Sequence, residues 1–321
     1  MSNKNFGAQT EAEEVAIYFD KEIKGKTVLI TGCTWGGLGA EAARVIAKHH
    51  AALVIVAGRK QESLDDTIQK IKAETPSANL RPLILDLASL ESVRRAADEV
   101  NAYSEAIDVL INNAAIMASP YHTTKDGFEA QVGTNHIGPF LFTNLILPKI
   151  LASKTGSPRI VNVSSSAHHL SPIRLDDPFF DNGKTYQKWV AYGASKTANI
   201  MFASELAKRY KDKGLTAFSL HPGAIPTNLQ RDVDPITEFK EPFKDYEGNV
   251  IDIANIFWKS IPQGTSTHLV AAFDPNITSE SGSYLDDCQI AMDHAMAYAK
   301  DDTQAKKLWD WSEKTVGQTF A

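Results

Sequence analysis

A repeated alternation narrows the folds open to this chain more than any other feature. Short apolar runs, rich in β-branched residues, are each followed by a stretch of helical period. The runs are "KTVLITG" (26–32), "AALVIVAGR" (51–59), "NLRPLILDL" (79–87), "AIDVLINNAA" (106–115), "RIVNVSS" (159–165) and "LTAFSLHPG" (215–223). Between them lie helix patterns at 37–50, 62–74, 89–100, 125–152 and 190–214. Strand-length runs with little polar alternation predict strands buried on both faces, and their alternation with helices predicts a parallel sheet. The expected fold is therefore α/β: a Rossmann-type doubly wound parallel sheet of about seven strands with helices on both faces. "SGSYLDD" (281–287) supplies the last strand and "AKKLWDWSEKTVG" (305–317) a terminal helix, with Trp309 and Trp311 on different faces. Residues 1–24 read as a polar, acidic extension and 25–321 as one Rossmann-fold domain.

Composition excludes several classes of function. A chain of 321 residues, 43% hydrophobic, has ample material for one large core. Its net charge is -6 and it has no basic stripe, which argues against a nucleic-acid partner. Cys33 and Cys288 are the only cysteines, too few for a disulfide framework or a zinc site. The N-terminal stretch lacks the apolar core of a signal peptide, and no run reaches the ~18 apolar residues of a membrane span. The expectation is a soluble, cytoplasmic protein with free thiols.

The loop "TGCTWGGLGAE" (31–41) joins the first strand to the first helix. Such a junction presents free backbone N–H groups to a phosphate, and glycines let the chain turn tightly and approach the ligand. Its spacing offers two registers, one through Gly32 and Gly36 and one through Gly32, Gly37 and Gly39. The second strand ends "VIVAGRK". Gly58 stands where dinucleotide folds place an acidic residue for the ribose hydroxyls, and Arg59 and Lys60 follow. A missing carboxylate beside two cations suits a 2′-phosphate and favours NADP over NAD.

"YGASK" sets Tyr192 and Lys196 four residues apart, on one face of a helix. A neighbouring ammonium lowers a phenol's pKa, so the pair suits proton exchange with a carbonyl or alcohol oxygen. "VNVSSS" (161–166) puts serines at the carboxyl end of the fifth strand, where open α/β sheets bind ligands. Asn135, in "TNHIGPF", has an amide able to anchor a water leading to Lys196. His168 and His169 are adjacent, without a carboxylate or cysteine at metal-ligand spacing, and read as hydrogen-bonding side chains; no metal is expected.

Together TGCTWGGLG, Asp86-Leu87, NNAA (112–115), Asn135, VNVSSS, YGASK and "HPGAIPT" (221–227) resemble the short-chain dehydrogenase/reductase family. The resemblance runs from residue 24 to 227. "NHIGPFLFTNLILP", "RIVNVSSSAHH" and "YGASKTANIMFASELAKRY" are similar to its retinol-dehydrogenase-like and WW-domain-oxidoreductase-like branch, which includes many fungal members. The resemblance implies that Tyr192 is the acid/base and that Lys196 lowers its pKa and binds the nicotinamide ribose. Ser165 would hold the substrate oxygen, with Ser164 and Ser166 as runners-up, and Asn135 would complete a proton relay. It further implies NADP(H) held by Gly32, Thr34, Trp35, Gly37, Leu38 and Gly39 of the loop and by Arg59 and Lys60. Asp86 and Leu87 would border the adenine, Asn113 and Ala114 the ribose side, and Pro222, Gly223, Ile225 and Thr227 the nicotinamide.

Three departures stand out. The glycine loop is one residue longer than the family's usual form, NNAA replaces NNAG, and 26 residues separate Ser165 from Tyr192. The insert in that gap would wall a substrate pocket with Phe179, Phe180, Tyr186 and Trp189. A lid at 224–262 would add Ile236, Phe239, Phe243, Tyr246, Ile256, Phe257 and Trp258. The resulting expectation is an NADP(H)-dependent oxidoreductase acting on a carbonyl or alcohol of a hydrophobic small molecule. A non-redox epimerase or dehydratase on the same fold, and a non-catalytic dinucleotide-binding protein, are the alternatives. Both a monomer and a homodimer paired through the helices at 125–152 and 190–212 stay open, because the C-terminal part is long enough to cover those faces.

Overall fold

In the computed structural model the described residues are 5–154, 156, 158–234, 244–251 and 257–320. Their centre is an eight-stranded sheet. Its strands are β1 (Thr27–Thr31), β2 (Leu53–Gly58), β3 (Leu80–Ile84), β4 (Val109–Asn112), β5 (Arg159–Val163), β6 (Thr216–His221), β7 (Tyr284–Asp286) and β8 (Gln289–Ile290). They lie in the order β3-β2-β1-β4-β5-β6-β7-β8, and every pairing is parallel except β7 with β8. The short antiparallel β8 is the strand that the sequence pattern does not announce. Chain order reverses between β1 and β4, and such a switch point opens a crevice at the strands' carboxyl ends.

Each strand feeds two cores by alternation. Val28 and Ile30 of β1, Val54 and Val56 of β2, and Phe218 and Leu220 of β6 enter one core. Leu29, Leu53, Ile55 and Ala217 enter the other. Nearly all are fully buried, worth about 1.5–3 kcal/mol for each large aliphatic side chain. On the first face lie α1 (Ala12–Tyr18), α3 (Leu38–Lys48), α4 (Gln61–Glu74) and α9 (Ile261–Phe273). On the second lie α5 (Leu90–Ala102), α7 (Gly138–Leu151), α8 (Lys188–Arg209) and α10 (Asp302–Val316). A short α2 (Asp20–Ile23) follows α1, and α6 (Ala130–Val132) runs through a π turn, Gly133–Ile137, into α7.

The N-terminal region differs from expectation, and the C-terminal helix resolves an open one. The N-terminal stretch is ordered helix, with Ala12, Val15, Ala16, Phe19 and Ile23 buried in the first core. Its acidic face turns outward, which is why its composition looks like that of a tail. The C-terminal helix lies along α8: Ala305 and Leu308 pack with Ala194, Ala198 and Met201, and Trp309 with Phe202 and Phe140. Trp311 faces His136 and Phe179 instead, so the two tryptophans do use different faces. This chain's own helix therefore covers a face of α8 on which pairing with a second copy was an open expectation.

Candidate active site

The glycine loop settles its own register. Gly37 N donates to Thr34 O at 3.1 Å, and Gly36 sits at the third position of that turn with a φ of +81°. The extra residue is absorbed there. Gly37 then becomes the N-cap of α3, and no side chain caps the helix. The uncapped N–H groups of its first turn are what a phosphate would need. Gly32 and Gly39 close the cradle. A Cβ on Gly39 would stand 2.6 Å from Asn113 Nδ2 and 2.7 Å from Gly32 O, and one on Gly32 would stand 2.8 Å from Ala114 Cα. Asn113 staples the loop by donating from Nδ2 to Thr31 O at 2.8 Å. Cys33 is buried, its thiol directed at Ile30 O, and burial pushes it up to about 12, so it is structural.

This geometry separates two alanine substitutions. Gly39→Ala has no room and is expected to lower both melting temperature and nucleotide affinity, the latter at least ~10-fold. Gly36→Ala meets nothing within 4 Å and carries only left-handed strain, about 1–2 kcal/mol, with affinity kept within about twofold. Thermal melts and nucleotide titration compare them; equal losses would show that close packing of the cradle is not what matters.

The loop opens on a trough of about 420 Å³. Its walls include Thr34, Trp35, Gly37 and Leu38 from the loop, Gly58 and Arg59 from the end of β2, and Leu87, Asn113 and Ala114 from the ends of β3 and β4. Ile116, Thr134, Thr227, Asn228, Leu229 and Arg231 close the other side. Among the described residues the wall holds two cations, Arg59 and Arg231, and no carboxylate. A cradle with no space for a Cβ, an uncapped helix start and a cationic wall fit a phosphate-rich dinucleotide.

Gly39, Lys60, Asp86, Tyr192, Lys196, Pro222, Gly223 and Ile225, all expected at the nucleotide, lie off the wall, Gly39 because it is packed behind the loop. Lys60 is exposed. Asp86 turns back to accept from Ala88 N at 3.1 Å. Pro222 and Gly223 stand beyond the trough, Gly223 against the Lys259 side chain, and Ile225 is buried against Gly264. Ala115 does line the trough, and its backbone has no positive φ, so NNAA costs nothing relative to NNAG.

Tyr192, Lys196, Ser165 and Asn135 converge beside the trough's Ile116 end. Tyr192 and Lys196 are 3% and 2% exposed. Gly193 lets α8 approach the turn that carries Ser165, because a Cβ there would meet Ala167 O at 2.6 Å. Ser165 lies close enough to the Tyr192 phenol to favour its ionised form, and its Oγ accepts from Ala167 N at 3.1 Å. The runners-up are otherwise engaged: Ser164 Oγ donates to Lys196 O at 2.7 Å, and Ser166 is exposed, its N–H donating to His221 Nδ1.

Two expected roles need correction. Burial, against a smaller opposing pull from Ser165, pushes the Tyr192 phenol up to about 12. Lys196 does not bring it into the neutral range; its Nζ donates to Val163 O at 2.9 Å and lies 5.5 Å from the ring centroid of Tyr192. Burial pushes Lys196 itself down to about 7. The Asn135 amide is also committed. It accepts from Ile116 N at 2.9 Å and donates to Ile116 O and to Ser195 Oγ, at 2.9 and 3.0 Å. Both amide hydrogens are used, so any water would have to donate to the Oδ1, and the side chain positions Ile116 and α8 across the π turn.

The insert packs down rather than lining a pocket. Phe180 is fully buried, with Arg174 over its ring. Phe179 stacks on Phe128 and Trp311, and Tyr186 OH donates to Ser119 O. Trp189 alone meets Tyr192, edge-on at 6.2 Å. Of the lid aromatics, Tyr246, Phe257 and Trp258 are half-exposed, while Ile236, Phe239, Phe243 and Ile256 lie outside the described residues. His168 accepts Met296 N–H and contacts Ser165 O, pinning the C-terminal segment to the serine turn.

Sequence reasoning missed Thr134, Ile116 and the run Asn228, Leu229 and Arg231 on the trough wall, and Ser195 as the partner of Asn135. Ser195 had a signal, since it lies inside the Y-x-x-x-K turn. The run Asn228, Leu229 and Arg231 had none, because it is placed only by the return of the chain after β6.

Comparison with known proteins agrees with this geometry. The family described as short chain dehydrogenase matches residues 26–176 and 181–237. The chloroplastic short-chain dehydrogenase TIC 32 B of Brassica napus is 37% identical over 97% of this chain and 94% of its own length. Human retinol dehydrogenase 11 is 36% identical over 92% of this chain and 87% of its own. The crystal structure of an uncharacterised protein from Mycobacterium paratuberculosis superposes with a TM-score of 0.70, at 35% identity, covering 93% of this chain and 96% of that one.

Proposed function

The chain belongs to the short-chain dehydrogenase/reductase family, and from that premise we propose an NADP(H)-dependent oxidoreductase that interconverts a carbonyl and an alcohol on a hydrophobic small molecule. The observation that carries the reading is the buried Ser165–Tyr192 contact, set over Lys196 at the carboxyl edge of the sheet. Gly32, Gly37 and Gly39, with Asn113 behind them, would seat the diphosphate. Arg59 would take the 2′-phosphate, which is strongly attracted to a guanidinium. The nicotinamide supplies or accepts the hydride.

This chain's residues handle the proton. Ser165 donates to the substrate oxygen and holds it against Tyr192. The Tyr192 phenol, protonated at neutral pH because it is buried, gives its proton to that oxygen during reduction and recovers one afterwards. Lys196, fixed on Val163 O, holds the floor of the site and turns its remaining hydrogens toward the ribose. Asn135 holds Ile116, and thus the inner end of the trough, in place. Trp189 against Tyr192 and the half-exposed Tyr246, Phe257 and Trp258 support an apolar substrate. Cys33 and Cys288 are free thiols, which fits a reducing compartment such as the cytosol.

Titration with NADPH and with NADH, followed by nicotinamide fluorescence, tests the reading. NADPH is expected to bind at least ~10-fold tighter, and Arg59→Ala to remove most of that preference. The protein should then reduce apolar ketones or aldehydes faster than polar ones of similar size. Preferential NADH binding would defeat the role given to Arg59, and no binding of either would defeat the function.

A further inference from the structure

Resting on the dinucleotide reading above, we propose that Arg231 is a second anion-gripping residue, which clamps the cofactor's diphosphate from the open side of the trough. Arg59 is the trough's other cation, and no carboxylate shares the wall with either among the described residues. The whole chain carries a net charge of -6, so a wall with only positive charge is a local departure that calls for an anionic occupant.

The backbone places Arg231 by two independent ties. Downstream of β6, Thr227 caps the short turn Asn228–Gln230 by accepting Leu229 N–H. Gln230 Nε2 donates back to Ile225 O at 3.3 Å. The Ile225 side chain and Leu38, the first residue of α3, crowd the same glycine: a Cβ on Gly264 would meet Ile225 at 2.6 Å and Leu38 at 3.2 Å. The turn is thus moored beside the N-terminus of α3, where a diphosphate is stabilised. At its far end Lys188 Nζ, on the first residue of α8, donates to Asp232 O at 3.3 Å. Arg231 stands between these moorings and lines the same trough as Gly37 and Leu38 at the start of α3. Arg59 stands at the end of β2, on the adenosine side.

The guanidinium is available for the task. Its ion pair is with the adjacent Asp232, at 3.7 Å, and both side chains are over a third exposed. Such a pair is weak, and a dianionic diphosphate with several oxygens competes well for the planar fork. The two arginines therefore have separable duties: Arg59 reads which dinucleotide is bound, and Arg231 holds any dinucleotide.

Fluorescence titration of four proteins (wild type, Arg59→Ala, Arg231→Ala and Arg231→Lys) with NADPH and NADH reads both duties without turnover. Arg231→Ala is expected to weaken both nucleotides by the same factor, roughly five- to tenfold, while Arg231→Lys keeps part of the affinity. Arg59→Ala should weaken NADPH alone. Arg231 is half-exposed, so its variants should melt with the wild type. Unchanged affinity for both nucleotides in Arg231→Ala would overturn the clamp, and so would a loss confined to NADPH, which would put Arg231 on the 2′-phosphate. If wild type bound neither nucleotide, the proposed function itself would fall first.

Discussion

Replacing Tyr192 by phenylalanine is expected to cut turnover about 10³-fold or more while leaving dinucleotide affinity within a few-fold. The argument rests on location. The phenol lies next to Ser165 and beside the trough but takes no part in its wall, so removing one oxygen leaves the cradle of Gly32, Gly37 and Gly39 untouched. Phenylalanine keeps the ring that packs against Trp189, so the fold should survive. Burial also sets a pH signature in the wild type. With the phenol pushed up to about 12, the proton-donating form persists across neutral pH, and alcohol oxidation, which needs the phenolate, should climb as pH rises. Measured kcat for both directions and nucleotide affinity for both proteins decide the matter. Turnover retained in Tyr192→Phe would remove the mechanism.

Lys196→Met is expected to do two opposite things: lower turnover at least ~10²-fold and raise the melting temperature by about 2–5 °C. Lys196 is buried, and burial pushes its ammonium down to about 7. The fold therefore disfavours the charged form. Between about 7 and the ordinary 10.5 the unfolded chain holds the proton and the folded one does not, so stability rises with pH across that window. Below about 7 the cost of burying the charge is fully present. Methionine fills the space without charge. It does not orphan the carbonyl that Lys196 serves, because Asn199 Nδ2 also donates to Val163 O, at 3.1 Å. Melts from pH 6 to 10 should show the pH slope in the wild type and its loss in the variant. A lower melting temperature with the slope intact would mean that the ammonium stabilises the fold.

What was legible in the sequence is what short-range spacing encodes. Tyr192 and Lys196 share a helix face, the strand alternation distributes Val28, Leu29 and Ile30 to opposite cores, and the glycine loop announces its strand and helix. What escaped depends on contacts between distant segments. The commitment of the Asn135 amide to Ile116 and Ser195 spans 19 and 60 positions. Arg231 reaches the trough only because Ile225 and Leu38 meet on Gly264. The insert aromatics are expected at a pocket because they fill the long gap between Ser165 and Tyr192. Phe179 and Phe180 instead found Trp311 and Arg174, and apolar burial prevailed. The N-terminal helix is a different kind of miss. Ala12, Val15, Ala16 and Phe19 do recur at helical period, but the intervening acidic residues dominated the composition.

The C-terminal helix bears on the order in which the working parts come into being. The described residues of the trough wall all precede position 232, and the turn that carries Arg231 is moored through Gly264 of α9. The π turn that carries Asn135 is different. His136, buried next to it, finds its partner in Ser312 Oγ at 2.7 Å, across 176 positions. Trp309 and Leu308 cover α8 from the same late segment. The brace on the π turn thus comes from a later segment than any described residue of the trough wall. Variation in α10 can therefore retune the packing of the π turn and α8 without touching a described residue of the trough wall.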